Sequence, residues 1–199
     1  MLTPAQQRIK RLFDVVLSLV GIGISWWVML GAWIVASMET RSNGLFLQER
    51  VGRGGEPFKV WKIKTMRPDG NATTTVTTIR DDRITKSGAF FRRTKIDELP
   101  QLFNVLLGQM SFVGPRPDVP GFADKLEGED RVILTVRPGI TGPASLKFKN
   151  EEEILARQKD PETYNREVIW PEKIRINKEY IANWSLKNDI MYIIKTITG

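Results

Sequence analysis

The longest uniform feature of the chain is an uncharged, apolar run from Val15 to Met38, 24 residues in all. As a helix it reaches about 36 Å, against about 30 Å of bilayer hydrocarbon, so it is long enough to be embedded in a membrane. Trp26, Trp27 and Trp33 lie inside it, and Arg8, Lys10 and Arg11 precede it where anionic headgroups attract cations. A buried core helix is the plainer alternative. A secretory signal is disfavoured by the length of the run and the bulky residues near its end. Asp14, at the entrance, is expected at headgroup level as an interfacial pair with Arg11 one turn earlier. Gly21, Gly23, Ser25 and Gly31 permit a bend that no proline enforces. Basic residues on both flanks (Arg8 to Arg11, then Arg41, Arg50 and Arg53) favour cytoplasmic placement of both ends, although the run alone does not separate a spanning helix from a re-entrant one.

Beyond Met38 the pattern changes to short, mixed elements. Leu45–Gln48 and Phe58–Trp61 are β-rich and separated by Gly52, Gly54 and Gly55, which predicts a hairpin. Arg67 to Thr78 is polar and Thr-rich and reads as a loop. Apolar residues at 99, 102, 103, 105 and 106 share a helical face, and Pro100, which fits only a first turn, sets the helix start at about Asp97. The loop Met110–Pro117 is stiffened by two prolines around Arg116. A short helix is expected at Val119–Leu126 and a turn at Arg137–Pro143. Helices follow at Glu151–Gln158 and Glu162–Ile181. The amphipathic stretch Trp184–Ile197 suits either the bilayer surface or a helix closing the core. No internal repeat or linker divides this part. The expected fold is therefore α+β, with residues 1–38 as basic flank and membrane helix and residues 39–199 as a small, mainly helical cytoplasmic domain with one hairpin.

Composition narrows the chemistry. The 199 residues carry 30 Lys and Arg against 23 Asp and Glu, a formal net charge of +7, with no His and no Cys. Imidazole shuttles, thiolate nucleophiles, disulfides and zinc ribbons are excluded, leaving carboxylates, cations, hydroxyls and oxygen-bound metals. Nucleic-acid binding is not favoured, because the basic groups interleave with acids and no recognition motif is present.

Asp97 and Glu98 are adjacent, so on a helix their side chains diverge by about 100° and are suited to different tasks. A helix N-terminus stabilises negative charge and would keep Asp97 ionised while favouring an arriving phosphoryl group; the plainer alternative is an N-cap and a favourable first-turn acid. Arg92, Arg93 and Lys95 lie just upstream, and Arg116 and Arg137 offer further donors to phosphate oxygens. Either a structural ion network or a phosphoryl-transfer site with a carboxylate nucleophile fits this set. Phosphate chemistry without His also suggests a divalent cation on Asp or Glu oxygens, with Mg²⁺ the default. There is no Walker loop, Rossmann glycine pattern or kinase motif set.

Ordered blocks along nearly the whole chain resemble one family. They are Lys10-Arg11-Leu12-Phe13-Asp14, Phe46-Leu47-Gln48-Glu49-Arg50-Val51-Gly52, Lys62-Ile63-Lys64-Thr65-Met66, and Asp97-Glu98-Leu99-Pro100-Gln101-Leu102-Phe103-Asn104-Val105. They continue with Met110-Ser111-Phe112-Val113-Gly114-Pro115-Arg116-Pro117, Arg137-Pro138-Gly139-Ile140-Thr141-Gly142 and Asn183-Trp184-Ser185-Leu186. On these the chain is similar to the bacterial sugar-phosphate transferases, or monotopic phosphoglycosyl transferases, which begin glycan assembly on a polyprenol.

The resemblance implies that Asp97 attacks the β-phosphate of a UDP-sugar, releasing UMP, and that a polyprenol phosphate such as undecaprenyl phosphate accepts the phosphosugar from the carboxylate. It implies Mg²⁺ as cofactor, with Asp97 and Glu98 as candidate ligands and Glu98 in metal coordination or acid–base assistance. Lys62, Arg92 and Arg116 match the family's phosphate-holding positions, and Arg137 joins them as a further phosphate donor. The membrane helix would be re-entrant, at the bacterial inner membrane with the catalytic domain on its cytoplasmic face, in polysaccharide synthesis that hands its product to downstream glycosyltransferases. The other class considered is an inactive, membrane-anchored binding or assembly protein of the same fold. Two departures stand out: Ser25-Trp26-Trp27 replaces the family's Ser-Pro bend, and Pro143-Ala144-Ser145-Leu146-Lys147-Phe148-Lys149-Asn150 replaces a Gln-Val-Asn-Gly-Arg-like segment.

Overall fold

The computed structural model describes residues 1–67 and 83–199. The loop expected at Arg67–Thr78 therefore lies, from residue 68 onward, outside the described residues. The elements are α1 (Pro4–Thr40), β1 (Leu45–Val51), β2 (Pro57–Ile63), α2 (Lys86–Thr94), α3 (Gln101–Leu107), β3 (Ser111–Val113), β4 (Gly139–Thr141), α4 (Pro143–Lys147), α5 (Glu151–Ala156), α6 (Pro161–Tyr164), α7 (Trp170–Ala182) and α8 (Leu186–Thr198). The chain's contacts gather into two units, one of residues 16–48 and 59–106 and the other of residues 1–15, 49–58 and 107–199.

The apolar run is helical throughout as part of α1. No proline interrupts it, and Ser25 Oγ donates back to the Gly21 carbonyl at 2.7 Å, a bond that lets a helix carry a hydroxyl among apolar neighbours. Its inner face supplies Ala32 and Ala36 to a small core with Ile63 of β2 and Phe91 of α2, against which Ile96 packs. Its outer face exposes Leu19, Ile24, Trp27, Leu30 and Ile34, apolar side chains that water does not favour and lipid does.

β1 and β2 form the expected hairpin, turned at Gly54 and Gly55, both at positive φ. The helix start expected near Asp97 is corrected: Ile96–Glu98 is a single 3₁₀ turn and α3 begins at Gln101. Pro100 has no N–H to give to a longer helix, and Leu102 and Phe103 bond back only three residues, to Leu99 and Pro100.

In the second unit β3 and β4 pair in parallel, Ser111 opposite Gly139 and Val113 opposite Thr141, a pairing not expected from such short runs. Glycine is required where these strands meet: a Cβ on Gly139 would lie 2.2 Å from the Gly114 nitrogen. A core of Leu2, Val51, Val113, Ile133, Leu134, Ile174, Tyr180, Ile181 and Trp184 surrounds them, each large side chain contributing about 1.5–3 kcal/mol on burial. The short helix expected at Val119–Leu126 is reduced to a 3₁₀ turn at Ala123–Lys125, followed by a 3₁₀ stretch at Gly128–Thr135. The helix expected over Glu162–Ile181 is interrupted by a π turn at Asn165–Ile169.

The N-terminus of α1 is anchored here by charge. Lys10 Nζ meets Asp189 Oδ2 at 2.6 Å, and the same carboxylate accepts from Tyr180 Oη and Trp184 Nε1. Asp14 is buried within the protein, and its Oδ1 accepts from Ser111 Oγ and the Phe112 N–H at 3.0 Å each. A buried carboxylate needs such donors. α8 closes the core by one face, where Leu186, Tyr192 and Ile193 pack, while Ile190, Met191, Ile194 and Ile197 are exposed on the other.

Candidate functional site

Lys62, Arg92, Asp97 and Glu98 all belong to the unit formed by residues 16–48 and 59–106, and local geometry brings them together. Asn104 on α3 is fully buried, accepts from the Trp61 N–H through Oδ1 at 3.0 Å and donates through Nδ2 to the Lys59 carbonyl at 2.7 Å. It thereby docks α3 on β2, a backbone edge that would otherwise be left unsatisfied. Lys62, one residue beyond Trp61, then reaches Glu98 Oε1 at 3.3 Å.

Arg92 arrives from α2. Thr85 caps that helix by accepting from the Gly88 N–H. A Cβ at Gly88 would lie 2.2 Å from the Thr65 carbonyl oxygen, so only glycine allows α2 this close to the strand end. One turn on, Arg92 Nε donates to Thr65 Oγ1 at 3.0 Å and Nη2 to Met66 Sδ at 3.2 Å. Both acceptors are neutral and leave its charge uncompensated by them. Lys95, at φ 60°, ends α2 and turns the chain into the 3₁₀ turn that carries Asp97 and Glu98.

Asp97 is buried at 8% exposure, and its Oδ1 has no hydrogen-bond partner among the described residues. Burial raises its pKa above the ordinary carboxylate value, and the neighbouring Glu98 raises it further, while Lys62, Lys95 and Arg92 oppose the shift. The full helix starts four residues later than expected, so the shift at Asp97 is set by desolvation against the nearby cations rather than by a helix end. The side chain is a desolvated acceptor ringed by positive charge, and its oxygen is not occupied by an internal donor.

Asp97 and Glu98 fit a divalent cation. The orphaned Oδ1 is a hard oxygen donor, and Mg²⁺ is usually held by one or two carboxylates, with phosphate and water completing its shell. Among the described residues no group of three or more acidic side chains is gathered for a metal, so phosphate oxygens would have to supply the rest.

Arg116 and Arg137 belong to the other unit. Arg116 follows β3 and Arg137 precedes β4. Gly139 N–H bonds to the Pro115 carbonyl at 2.7 Å, and Gly114 N–H bonds to the Thr141 carbonyl, so the two arginine-bearing loops are tied by their backbones. Arg116 is exposed. Arg137 is half-buried and donates through Nε to the Gly108 carbonyl at 2.7 Å. The residues missed by sequence reasoning are Thr65, Met66 and Asn104 as supports, whereas Lys95, already noted upstream of Asp97, contributes charge to it. The Lys-Thr-Met run beside Lys62 was a signal for the first two, whereas a buried Asn inside an apolar helical face was the only signal for the third.

Comparison with known proteins places this geometry. The family model described as bacterial sugar transferase matches residues 5–199. The chain is 36% identical over 193 residues to the UDP-glucose:undecaprenyl-phosphate glucose-1-phosphate transferase of Xanthomonas campestris pv. campestris, covering 94% of this chain and 37% of that protein. It is 35% identical over 196 residues to a protein of the same name from Caulobacter vibrioides, covering 94% and 68% respectively. It is 32% identical over 199 residues to the UDP-N-acetylgalactosamine-undecaprenyl-phosphate N-acetylgalactosaminephosphotransferase of Aeromonas hydrophila, covering 98% and 44%. The chain thus spans less than half the length of the Xanthomonas and Aeromonas relatives. With a matching model over almost every residue and the Asp97-Glu98 pair held beside Lys62 and Arg92, the chain belongs to the bacterial sugar transferase family.

Proposed function

We propose that the protein transfers a sugar 1-phosphate from a UDP-sugar to a polyprenol phosphate through a phosphosugar ester on Asp97. The observation that carries this reading is the Asp97 carboxylate itself: buried, with Oδ1 free of internal donors, and surrounded by Lys62, Lys95 and Arg92. A structural aspartate in an ion network would spend both oxygens on its partners.

In the first step an Asp97 oxygen attacks the β-phosphorus. The new O–P bond forms as the bridging P–O bond to the α-phosphate breaks, and UMP departs with that electron pair. In the second step a phosphate oxygen of the polyprenol phosphate attacks the same phosphorus, the Asp97 O–P bond breaks, and the free carboxylate returns. Lys62 and Arg92 neutralise charge gathering on the phosphoryl oxygens, the main requirement of phosphoryl transfer. Desolvation of Asp97 raises its basicity and strips water from the nucleophile. Glu98, held by Lys62, stands beside it for metal binding or proton management. A Mg²⁺ bound by Asp97 and Glu98 would supply further charge neutralisation on the diphosphate.

The contact of Ala32 and Ala36 with Ile63 and Phe91 supports a helix that enters and leaves by the cytoplasmic face. The last third of the run packs on Ile63 and on the α2 that carries Arg92 and Arg93, which keeps that end of α1 with charged side chains that hydrocarbon would exclude. The reaction would then take place at the inner face of the bacterial cytoplasmic membrane, ahead of further glycosyltransferases. Asp97→Asn tests the reading: UMP release from a UDP-sugar should fall to background, and turnover near the wild-type rate would refute the assignment.

A further inference from the structure

Three arginines from distant parts of the sequence converge where α1 approaches its apolar run. Arg11 lies four residues before Val15 on α1, and a Cβ placed on Gly108 would be 3.3 Å from its guanidinium. Arg137 donates to the carbonyl of that same Gly108. Arg53, from the β1–β2 turn, donates through Nη2 to Oε1 of Gln7, one helical turn before Arg11, at 3.2 Å.

Two features of this cluster call for an anion. The hydrogen bonds of Arg53 and Arg137 go to neutral acceptors, one amide and one carbonyl, although each guanidinium has five donors. Capping the end of α3 at Gly108 uses one of them. Asp14, whose field acts on Arg137, gives its Oδ1 to Ser111 and Phe112. Burial, followed by the positive fields of Arg11 and Arg53, lowers the Arg137 pKa, a cost that a bound anion would offset.

The surroundings identify the kind of anion. Leu12 beside Arg11 is 67% exposed, and Leu107 beside Gly108 is 63% exposed. Large apolar side chains open next to clustered guanidinium groups, at the threshold of a lipid-facing helix, suit a phosphate carried on a hydrocarbon chain.

We propose that Arg11, Arg53 and Arg137 form a binding site for the phosphate of a membrane lipid. It rests on the reading above only in that a polyprenol phosphate is one such lipid; an anionic phospholipid headgroup is the other.

The test uses the full chain purified in neutral detergent, with three probes: dodecyl phosphate, phosphatidylglycerol and inorganic phosphate. Bound lipid is read by native mass spectrometry and confirmed by thermal stabilisation. Affinity for at least one lipid probe should fall about fivefold with each of Arg11→Gln, Arg53→Gln and Arg137→Gln, while Lys125→Gln, which removes an exposed charge elsewhere, leaves it unchanged. Tighter binding of dodecyl phosphate assigns the site to the monoester acceptor. Equal or tighter binding of phosphatidylglycerol assigns it to bulk lipid. Inorganic phosphate competing at the same concentration would overturn the lipid assignment. Unchanged lipid affinity in all three variants would overturn the site, and Arg53→Gln guards against misfolding because Arg53 is exposed and touches only the Gln7 side chain among the bonds described. UMP release without any lipid is measured alongside. Its absence in the wild type would end the proposed transfer reaction, while the lipid affinities would still decide this site.

Discussion

Lys62 Nζ sits 3.3 Å from Glu98 Oε1, and the ion pair leaves the adjacent Asp97 carboxylate with a buried, unpartnered oxygen. One cation thus fixes Glu98 and lends its field to Asp97, the proposed nucleophile. Replacing Lys62 with Met should lower the rate of UMP release by about 10²-fold, with Lys62→Arg recovering part of it. Both variants should be compared in single-turnover assays under saturating UDP-sugar, and an unchanged rate in the Met variant would remove Lys62 from the site.

The buried Asp97 carboxylate carries a stability consequence. Its folded pKa is raised above the unfolded value near 3.8, so the folded state holds its proton to higher pH and the ionised carboxylate costs stability above that range. Asp97→Asn should therefore lose activity yet unfold at an equal or higher temperature, by about 2–4 °C for each 1 kcal/mol recovered. Thermal unfolding in detergent at pH 7.5 checks this, and a clear drop in midpoint would mean that the carboxylate is a structural partner.

The same shift sets the pH dependence of the first half-reaction. In the proposed reaction Asp97 must be ionised to attack, so the rate should fall as pH falls, with its acid limb above the ordinary Asp value near 3.8. Lys62→Met removes a charge that opposes the shift and should move that limb to still higher pH. Rapid-quench measurement of UMP formation across pH would show it, and a limb at or below pH 4 would contradict the desolvated nucleophile.

Asn104 is expected to matter twice. Asn104→Leu leaves the Trp61 N–H and the Lys59 carbonyl without their side-chain partner, costing about 1–3 kcal/mol, and it loosens the docking that aims Lys62. Chemical denaturation and kcat should both fall, with kcat falling further than the folded fraction explains.

In the other unit the Lys10–Asp189 pair is almost fully enclosed. Lys10→Met should cost about 3–5 kcal/mol because it strands a buried carboxylate, and combining it with Asp189→Leu should recover part of that loss. Additive losses in the double variant would argue against direct coupling.

Much of this was legible in the sequence where one residue type admits one use. The uncharged run to Met38 could only be a lipid-facing or core helix, the glycines at 54 and 55 demanded a turn, and Asp97-Glu98 near arginines was a candidate site at once. What escaped were features set by distant partners. The burial of Asp14 escaped because nothing nearby announces that Ser111 and Phe112 close over it. The β3–β4 pair is three residues a side, too short for periodicity to register, and depends on glycines whose close approach appears only in three dimensions. The direction of the Asp97 shift escaped for the same reason: a local rule about helix ends says nothing of the burial that other segments impose.

The most direct test is peptide mass spectrometry of the protein after incubation with a UDP-sugar and Mg²⁺ in the absence of lipid. The peptide containing Asp97 should gain the mass of the phosphosugar, lose it on adding polyprenol phosphate, and never acquire it in Asp97→Asn. Full UMP release and lipid product formed while Asp97 stays unmodified, or with the adduct on another side chain, would contradict the account.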